Sequence, residues 1–377
     1  MRIKVAGTGL TRFGELWDKT LFDLAEEAAM EAISDSRYTI NDIQAVFVGN
    51  MIYGRLAGQD HLGAAIASNL GIKGAGFRIE GACASGGLAV HLGLQSLLAG
   101  TYKNVLVVGV EKMTDASVSE VTSALMGAGS ETERKAGLTF PGLYALMAKA
   151  HMTKFGTTRK QLASVAVKNH FHASLNPKAQ FPFPVTEEKV LNSPSICSPF
   201  TLFDASPITD GAAAVVLTSD SSKPGVFITG SAVATDTVDL SSRKSLTEIA
   251  GTKQASQKAL KQAGIEIKDI NVAEVHDCFT IAEIMAMEDL GFCKKGLGGQ
   301  YIYGGSTKLG GSRPVNTSGG LKACGHPVGA TGVKQIVEIT DQLRNRAGKR
   351  QVNNAKVGLT QNVGGTGATV VVHVLQT

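Results

Sequence analysis

The chain has 377 residues, of which 43% are hydrophobic and 18% charged, so an extended disordered protein is excluded and a large buried core is within reach. The net charge of +5 is too small and too dispersed for a nucleic-acid surface, though it suits an anionic substrate. Five cysteines without a CxxC pair argue against a disulfide framework and against a zinc site.

The first strand is expected at Ile3, Val5 and Ala6, almost at Met1, which leaves no room for a secretory leader. Gly7-Thr8-Gly9 lacks the third glycine of a dinucleotide fingerprint, and neither a P-loop nor an HExxH motif follows. Thr20 and Asp23 open a helix in capping-box fashion, with Leu24, Ala28, Ala29, Ala32 and Ile33 on one stripe. Val46-Phe47-Val48 reads as a buried strand, and Phe77 to Glu80 as another. Cys83 comes next, among the small residues Gly81, Ala82, Ala84, Ser85, Gly86 and Gly87. A helical run with Leu88, Leu92, Leu94, Leu97 and Leu98 follows it, and then the strand Asn104 to Gly109. Strands alternating with helices predict α/β layers.

The second half repeats this plan. Ala28, Ala32, Ile33 and Ile40-Asn41-Asp42-Ile43 match Ala255, Ala259, Leu260 and Ile267-Lys268-Asp269-Ile270 at a constant offset of 227 residues. Gly211-Ala-Ala-Ala-Val-Val-Leu and Gly367-Ala-Thr-Val-Val-Val close the two halves alike. The first half carries a net excess of about 71 residues, placed between Val110 and Asp204, where Met, Gly, Pro and Lys replace β-branched runs. The expected organisation is a half over residues 1–220, with an inserted loop domain at about 111–204 over the active-site face, and a half over 221–377. No apolar run is long enough to cross a membrane, and the C-terminal Leu375-Gln376-Thr377 is not a peroxisomal address. Reduced thiols in the cytoplasm are the expectation.

Four segments carry candidate chemistry. Cys83 sits at a strand-to-helix turn, where the free N–H groups and the helix dipole favour a thiolate; a small packed cysteine in a glycine-rich turn is the alternative. His326, in Gly325-His326-Pro327, precedes the second-half helix, near the place Cys83 holds in the first. If the halves are related by a pseudo-twofold axis, these helix starts meet, and the imidazole can take the thiol proton; a capping or core histidine is the alternative. His276-Asp277-Cys278-Phe279 follows the strand Val272 to Val275 and brings a second imidazole and a second thiol to one sheet edge. Asp277 is expected to cap a helix, and Cys278 can equally be core. Gln361-Asn362-Val363-Gly364-Gly365-Thr366-Gly367 is a turn whose backbone can approach a ligand, or a plain hairpin. Phe140, Tyr144 and Met147 line an acyl pocket or simply fill the core. Cys197, Cys293 and Cys324 are expected to be structural, and His170 and His172 lack metal spacing.

Together, in this order, the four segments resemble the thiolase superfamily over nearly the whole chain. The His-Asp-Cys-Phe segment is similar to that of sterol-carrier-protein-type thiolases and archaeal acetoacetyl-CoA thiolases. Asn362-Val363-Gly364 stands where the common degradative type has a catalytic Cys-x-Gly, so Cys278 would supply the second thiol. The resemblance implies a layered αβαβα fold of two βαβαβ-type halves and an acetyl-CoA C-acetyltransferase, making acetoacetyl-CoA from two acetyl-CoA for the mevalonate pathway. It implies Cys83 as nucleophile, His326 as its base and Cys278 as acid–base on the α-carbon. His276 and His326 would hold the enolate oxygen, and the backbone N–H groups of Cys83 and Gly364 the oxyanion. It also implies no cofactor and no metal, a homodimer or homotetramer, and an assembly with a hydroxymethylglutaryl-CoA synthase and a small zinc-ribbon/OB-fold protein. A decarboxylating ketoacyl synthase, a longer-chain 3-ketoacyl-CoA thiolase and a non-catalytic thiolase-like scaffold are the rivals.

Overall fold

The structure, a computed structural model, describes residues 2–377. Nine strands form its main sheet: β1 (Ile3–Leu10), β2 (Ala45–Gly49), β3 (Ala75–Ile79), β4 (Asn104–Glu111), β5 (Gly211–Thr218), β6 (Val226–Thr235), β7 (Val272–Val275), β8 (Val357–Gly364) and β9 (Thr369–Gln376). Their spatial order is β3-β2-β4-β5-β1-β6-β9-β8-β7. β3 aside, the order mirrors itself about the β1/β6 junction, which reflects the repeat seen in the sequence. That junction is a short antiparallel ladder, Ile3↔Ile228, Lys4↔Phe227 and Val5↔Val226.

The principal helices are α1 (Leu21–Ser36), α2 (Leu62–Asn69), α3 (Ser85–Leu98), α4 (Phe140–Phe155), α5 (Arg159–Ala173), α6 (Ala250–Ala263), α7 (Thr280–Asp289), α8 (Gly320–Cys324) and α9 (Thr331–Leu343). The expected capping box at Thr20 and Asp23 opens α1, and its stripe of Leu24, Ala28, Ala29, Ala32 and Ile33 is buried against the first half. The repeat holds in detail: single 3₁₀ turns at Ile40–Asp42 and Ile267–Asp269, each closed by a capping box, lead into β2 and β7. Gly7 and Gly9 pack against α1, because a Cβ on either would lie 2.0 Å from a helix carbonyl, of Ala32 or Ala28. Close packing, rather than phosphate binding, explains that pair.

α1 and α2 cover the outer face of the first half, and α6 that of the second. α3 and α9 lie between the halves and form the middle layer of the αβαβα stack. Glycines let them approach. A Cβ on Gly86 would lie 2.6 Å from the Gly329 carbonyl, and one on Gly332 would lie 2.0 Å from the Gly87 nitrogen. The two helix starts are thus in backbone contact, as the pseudo-twofold argument requires.

Residues 112–210 separate β4 from β5, whereas residues 365–368 separate β8 from β9. The difference exceeds the net excess read from the sequence. The second half offsets part of it with a longer path from β7 to α9, which includes a helix at Gly298–Tyr303. The long segment contributes α4 and α5, and its residues form part of the cavity described next.

Candidate active site

The strand-to-helix turn that carries Cys83 is tightly wound. Ala82 adopts φ +53°, an uncommon left-handed conformation for a non-glycine residue. Local bonds hold it there. The Ala82 N–H donates to Glu80 Oε1 (2.7 Å), the Gly81 N–H to Ser85 Oγ (3.0 Å), and the Ser85 hydroxyl to the Ala82 carbonyl (2.6 Å). The turn thereby presents Cys83 just ahead of α3.

His326 meets it from the opposite half. Its N–H donates to Thr209 Oγ1 (3.0 Å), and its Nδ1 lies 2.7 Å from Thr331 Oγ1. The Thr331 hydroxyl donates to the Pro327 carbonyl (3.1 Å), so its oxygen is free to accept a proton from Nδ1. That assignment leaves Nε2 of His326 with a lone pair.

His276 is set in the opposite tautomer. The Gly87 N–H donates to Asn362 Oδ1 (3.1 Å), which fixes the amide orientation. Asn362 Nδ2 then donates to the Cys83 carbonyl (3.0 Å) and faces His276 Nδ1 at 3.3 Å. With Nδ1 accepting, the proton sits on Nε2, a buried atom with no hydrogen-bond partner. The His276 backbone N–H donates to Gln361 Oε1 (3.0 Å). The two imidazoles meet edge to face at 5.1 Å and 82°. Cys83 Sγ and one nitrogen of each lie within 4.8 Å of one another. Burial drives both rings far below the usual histidine range, His326 to about 3, helped by the Lys334 charge in one and by the neighbouring imidazole in the other. Both are neutral at pH 7.

Cys278, Tyr144 and Gly365 complete the site. A cavity of about 170 Å³ is lined by Cys83, Cys278 and His326 on its polar side and by Phe140, Tyr144 and Ile208 on the other. Phe140 and Tyr144 do line the cavity, whereas Met147 does not and is fully buried in the core. The glycine-rich turn closes the β8–β9 hairpin, paired in register from Val357↔Gln376 to Gly364↔Thr369, and it also abuts the nucleophile. Gly364 packs on the Cys83 turn, where a Cβ would lie 2.3 Å from the Gly81 carbonyl. The amide aimed at the sulfur is that of the next residue, Gly365.

One expectation needs correction. The thiolate favoured by the helix start does not form at rest. Burial pushes the Cys83 thiol up to about 12, and the Gly365 amide offsets only part of this; the Glu111 carboxylate raises it further. Cys278 is pushed up more strongly still, again by burial. Asp277 does cap a helix, though not the one that follows it in the chain. It accepts from Leu321 N–H (2.7 Å) and Lys322 N–H (3.3 Å), so it caps α8, which leads into Gly325-His326. Asp277 therefore ties the Cys278 turn to the His326 loop. Cys324 is fully buried, and Cys197 and Cys293 lie away from the cavity.

Sequence reasoning missed two residues. Asn362 sets the His276 tautomer; its signal was a polar Gln-Asn pair inside an otherwise apolar strand. Glu111, fully buried, accepts from Asn50 Nδ2 (2.8 Å) and from the N–H groups of Met51 (2.9 Å), Ile52 (3.1 Å) and Gly329 (3.1 Å), and so pins the His326 loop to the first half. Burial raises its carboxyl to about 7.

These shifts set an acid limit on stability. Buried His170 (about 4), His172, His326 and His373 (each about 3) and His276 stay neutral in the fold but take up protons when unfolded below pH ~6.5. Stability is therefore lost as pH falls from ~6.5 towards their folded values. Glu111 and Asp277, both raised to about 7, act oppositely and offset part of this between pH ~4.5 and ~7. Urea unfolding is expected to show a net loss of about 3–4 kcal/mol in going from pH 6 to pH 5.

The chain resembles known proteins over nearly its whole length. Residues 3–193 match the family model "Thiolase, N-terminal domain", and residues 232–377 match "Thiolase C-terminal domain-like". The chain is 47% identical over 379 residues to the acetyl-CoA acetyltransferase of Methanothermobacter thermautotrophicus, covering 99% of this chain and 98% of that one. It is 33% identical to sterol carrier protein 2 of Homo sapiens, covering 98% of this chain and 71% of that protein. Among solved structures, the "Ltp2-ChsH2(DUF35) aldolase" superposes with a TM-score of 0.86 at 24% identity, over 100% of this chain and 98% of that one.

Proposed function

The chain belongs to the thiolase family and is a thiolase-type acyltransferase, and from that premise we propose that it is an acetyl-CoA C-acetyltransferase working through an acyl group on Cys83. One observation carries the reading: two neutral histidines in opposite tautomers flank Cys83, one offering a lone pair and the other an N–H.

In acylation, the Cys83 sulfur attacks the thioester carbonyl while Nε2 of His326 takes its proton. Because the thiol is neutral at rest, this transfer accompanies the attack. The amides of Cys83 and Gly364 hold the oxyanion, with Gly365 beside them. The bond to CoA breaks, and the departing thiolate takes the proton of Cys278. What remains is acyl-Cys83, a Cys278 thiolate and protonated His326. A second acetyl-CoA then gives an α-proton to Cys278. Nε2–H of His276, together with His326, holds the enolate oxygen. The carbanion attacks the acyl carbonyl, Cys83 leaves and recovers its proton from His326, and acetoacetyl-CoA departs. Protons balance over the cycle, and no step calls for a metal or redox cofactor. The same three ligand atoms have a spacing that a soft divalent ion could use, but Nε2 of His276 carries its proton inward, which suits a donor rather than a ligand.

The small, apolar-walled cavity supports a short acyl group. The deciding experiment is condensation and thiolysis across acyl-CoA lengths, together with Cys278→Ala. That variant is expected to form the acyl-Cys83 adduct, seen by intact mass, yet to lose condensation by roughly 10³-fold. Unchanged condensation would favour a ketoacyl-synthase-like enzyme. Asn362→Asp is a finer test, because it replaces the amide donor to His276 with an oxygen and reverses the tautomer. The expected result is a fall in kcat of about 10²-fold with KM little changed, which steady-state kinetics reads directly.

The wider context rests on resemblance to the archaeal relatives. We place the enzyme in the cytoplasm at the entry to the mevalonate pathway, as a homodimer or homotetramer. Its proposed partners are a hydroxymethylglutaryl-CoA synthase and a small zinc-ribbon/OB-fold protein. Among the described residues no helix is long and apolar enough to cross a membrane. Size-exclusion chromatography of the co-expressed proteins tests the assembly.

A further inference from the structure

The proposed cycle leaves a thiolate on Cys278 while one CoA departs and another arrives. A buried thiolate needs hydrogen-bond donors to persist. The Phe279 amide at the start of α7 is one. We propose that Tyr144 is the other, a further catalytic residue whose hydroxyl turns from a backbone carbonyl to the Cys278 sulfur when that sulfur ionises. This rests on the reading of Cys278 as the acid–base thiol.

The geometry supports it. Tyr144 is 1% exposed, although its hydroxyl belongs to a group that seldom goes unpaired when buried. At rest that hydroxyl donates to the Gly365 carbonyl at 3.0 Å. The Tyr144 side chain and that of Cys278 line the same cavity, and the Tyr144 ring stacks on Phe279, the residue next to Cys278. The ring cannot drift, because it stacks on Phe279 at 4.8 Å and 27°. The carbonyl it would leave stays in place, because Arg243 donates to the Thr366 carbonyl (2.6 Å) and to Thr366 Oγ1 (2.9 Å) and so fixes the turn. A single rotation about the C–O bond thus exchanges one acceptor for another.

The other groups facing Cys278 do not substitute. Lys322 is near enough to act through space, but its ammonium donates to the Ala205 carbonyl. Asp277 and Cys83 can only disfavour a second negative charge there. His326 is committed to Cys83 in the proposed cycle.

The test is Tyr144→Phe, which keeps the ring. Expected results are slower Cys83 acylation, by single-turnover intact mass, and condensation slower by roughly 10- to 100-fold, because Cys278 ionises as the first CoA departs and stays ionised until the second arrives. The basic limb of the condensation pH profile should move to higher pH. 3,5-Difluorotyrosine at the same position, a stronger donor, should move it lower, which keeps the idea testable if the phenylalanine variant folds poorly. Unchanged rates of both steps, or an unmoved pH profile in both variants, would overturn the role of Tyr144. Normal condensation by Cys278→Ala would instead sink the reading beneath it.

Discussion

Cys83→Ala is expected to give a folded protein with no acyl adduct and no turnover, a loss of at least roughly 10⁴-fold in kcat/KM. The loss is large because no other sulfur can take the place. Cys83 Sγ lies within 4.8 Å of a nitrogen on each histidine, and Cys278 is not part of that group. Folding should survive, since the flanking Ala82 and Ala84 already present only methyl groups and the turn is held by Glu80 and Ser85, not by the thiol. Intact mass after exposure to acetyl-CoA, with circular dichroism on the same sample, separates the two outcomes. An adduct on the alanine variant would move the nucleophile elsewhere.

The second large effect is on stability. Gly332→Val should cost about 3–5 kcal/mol, or prevent recovery of soluble protein. The first carbon alone would lie 2.0 Å from the Gly87 nitrogen and 2.3 Å from Asn362 Oδ1. Neither can yield cheaply, because those atoms are bonded to each other and sit between two packed helices. Gly142→Ala is the matched control. It lies inside α4, its nearest neighbour would be 3.8 Å away, and alanine is the better helix former. That change should be neutral or stabilising by up to ~1 kcal/mol. Urea denaturation of the pair reads the difference.

The fold and the two principal residues were legible in the sequence for a physical reason. A repeated apolar pattern reports which faces are buried, and the matched capping turns report where strands begin. Cys83 and His326 stand at equivalent helix starts, so the symmetry that predicts the sheet also predicts their meeting. The role of Asn362 was not legible, because it depends on which way one amide points, and the backbone N–H of Gly87 decides that across the interface. The resting state of the thiol was misjudged for a related reason. A helix start favours the anion locally, but Cys83 packs against a cluster that includes Met113, Val121 and Val328, far along the chain. The capping role of Asp277 was legible but not the helix it serves, because the nearest helix in sequence is not the one whose N–H groups it meets.

The mirrored strand order has an evolutionary consequence. A scaffold assembled from two identical copies would carry every catalytic side chain twice, one of each pair idle. In a single chain the halves are free to differ. Cys83 stands two residues before α3 and His326 five before α9, and the matching places hold Gly329 and Glu80 instead. Asn362, reaching from the second half to the Cys83 carbonyl of the first, ties the two into one unit.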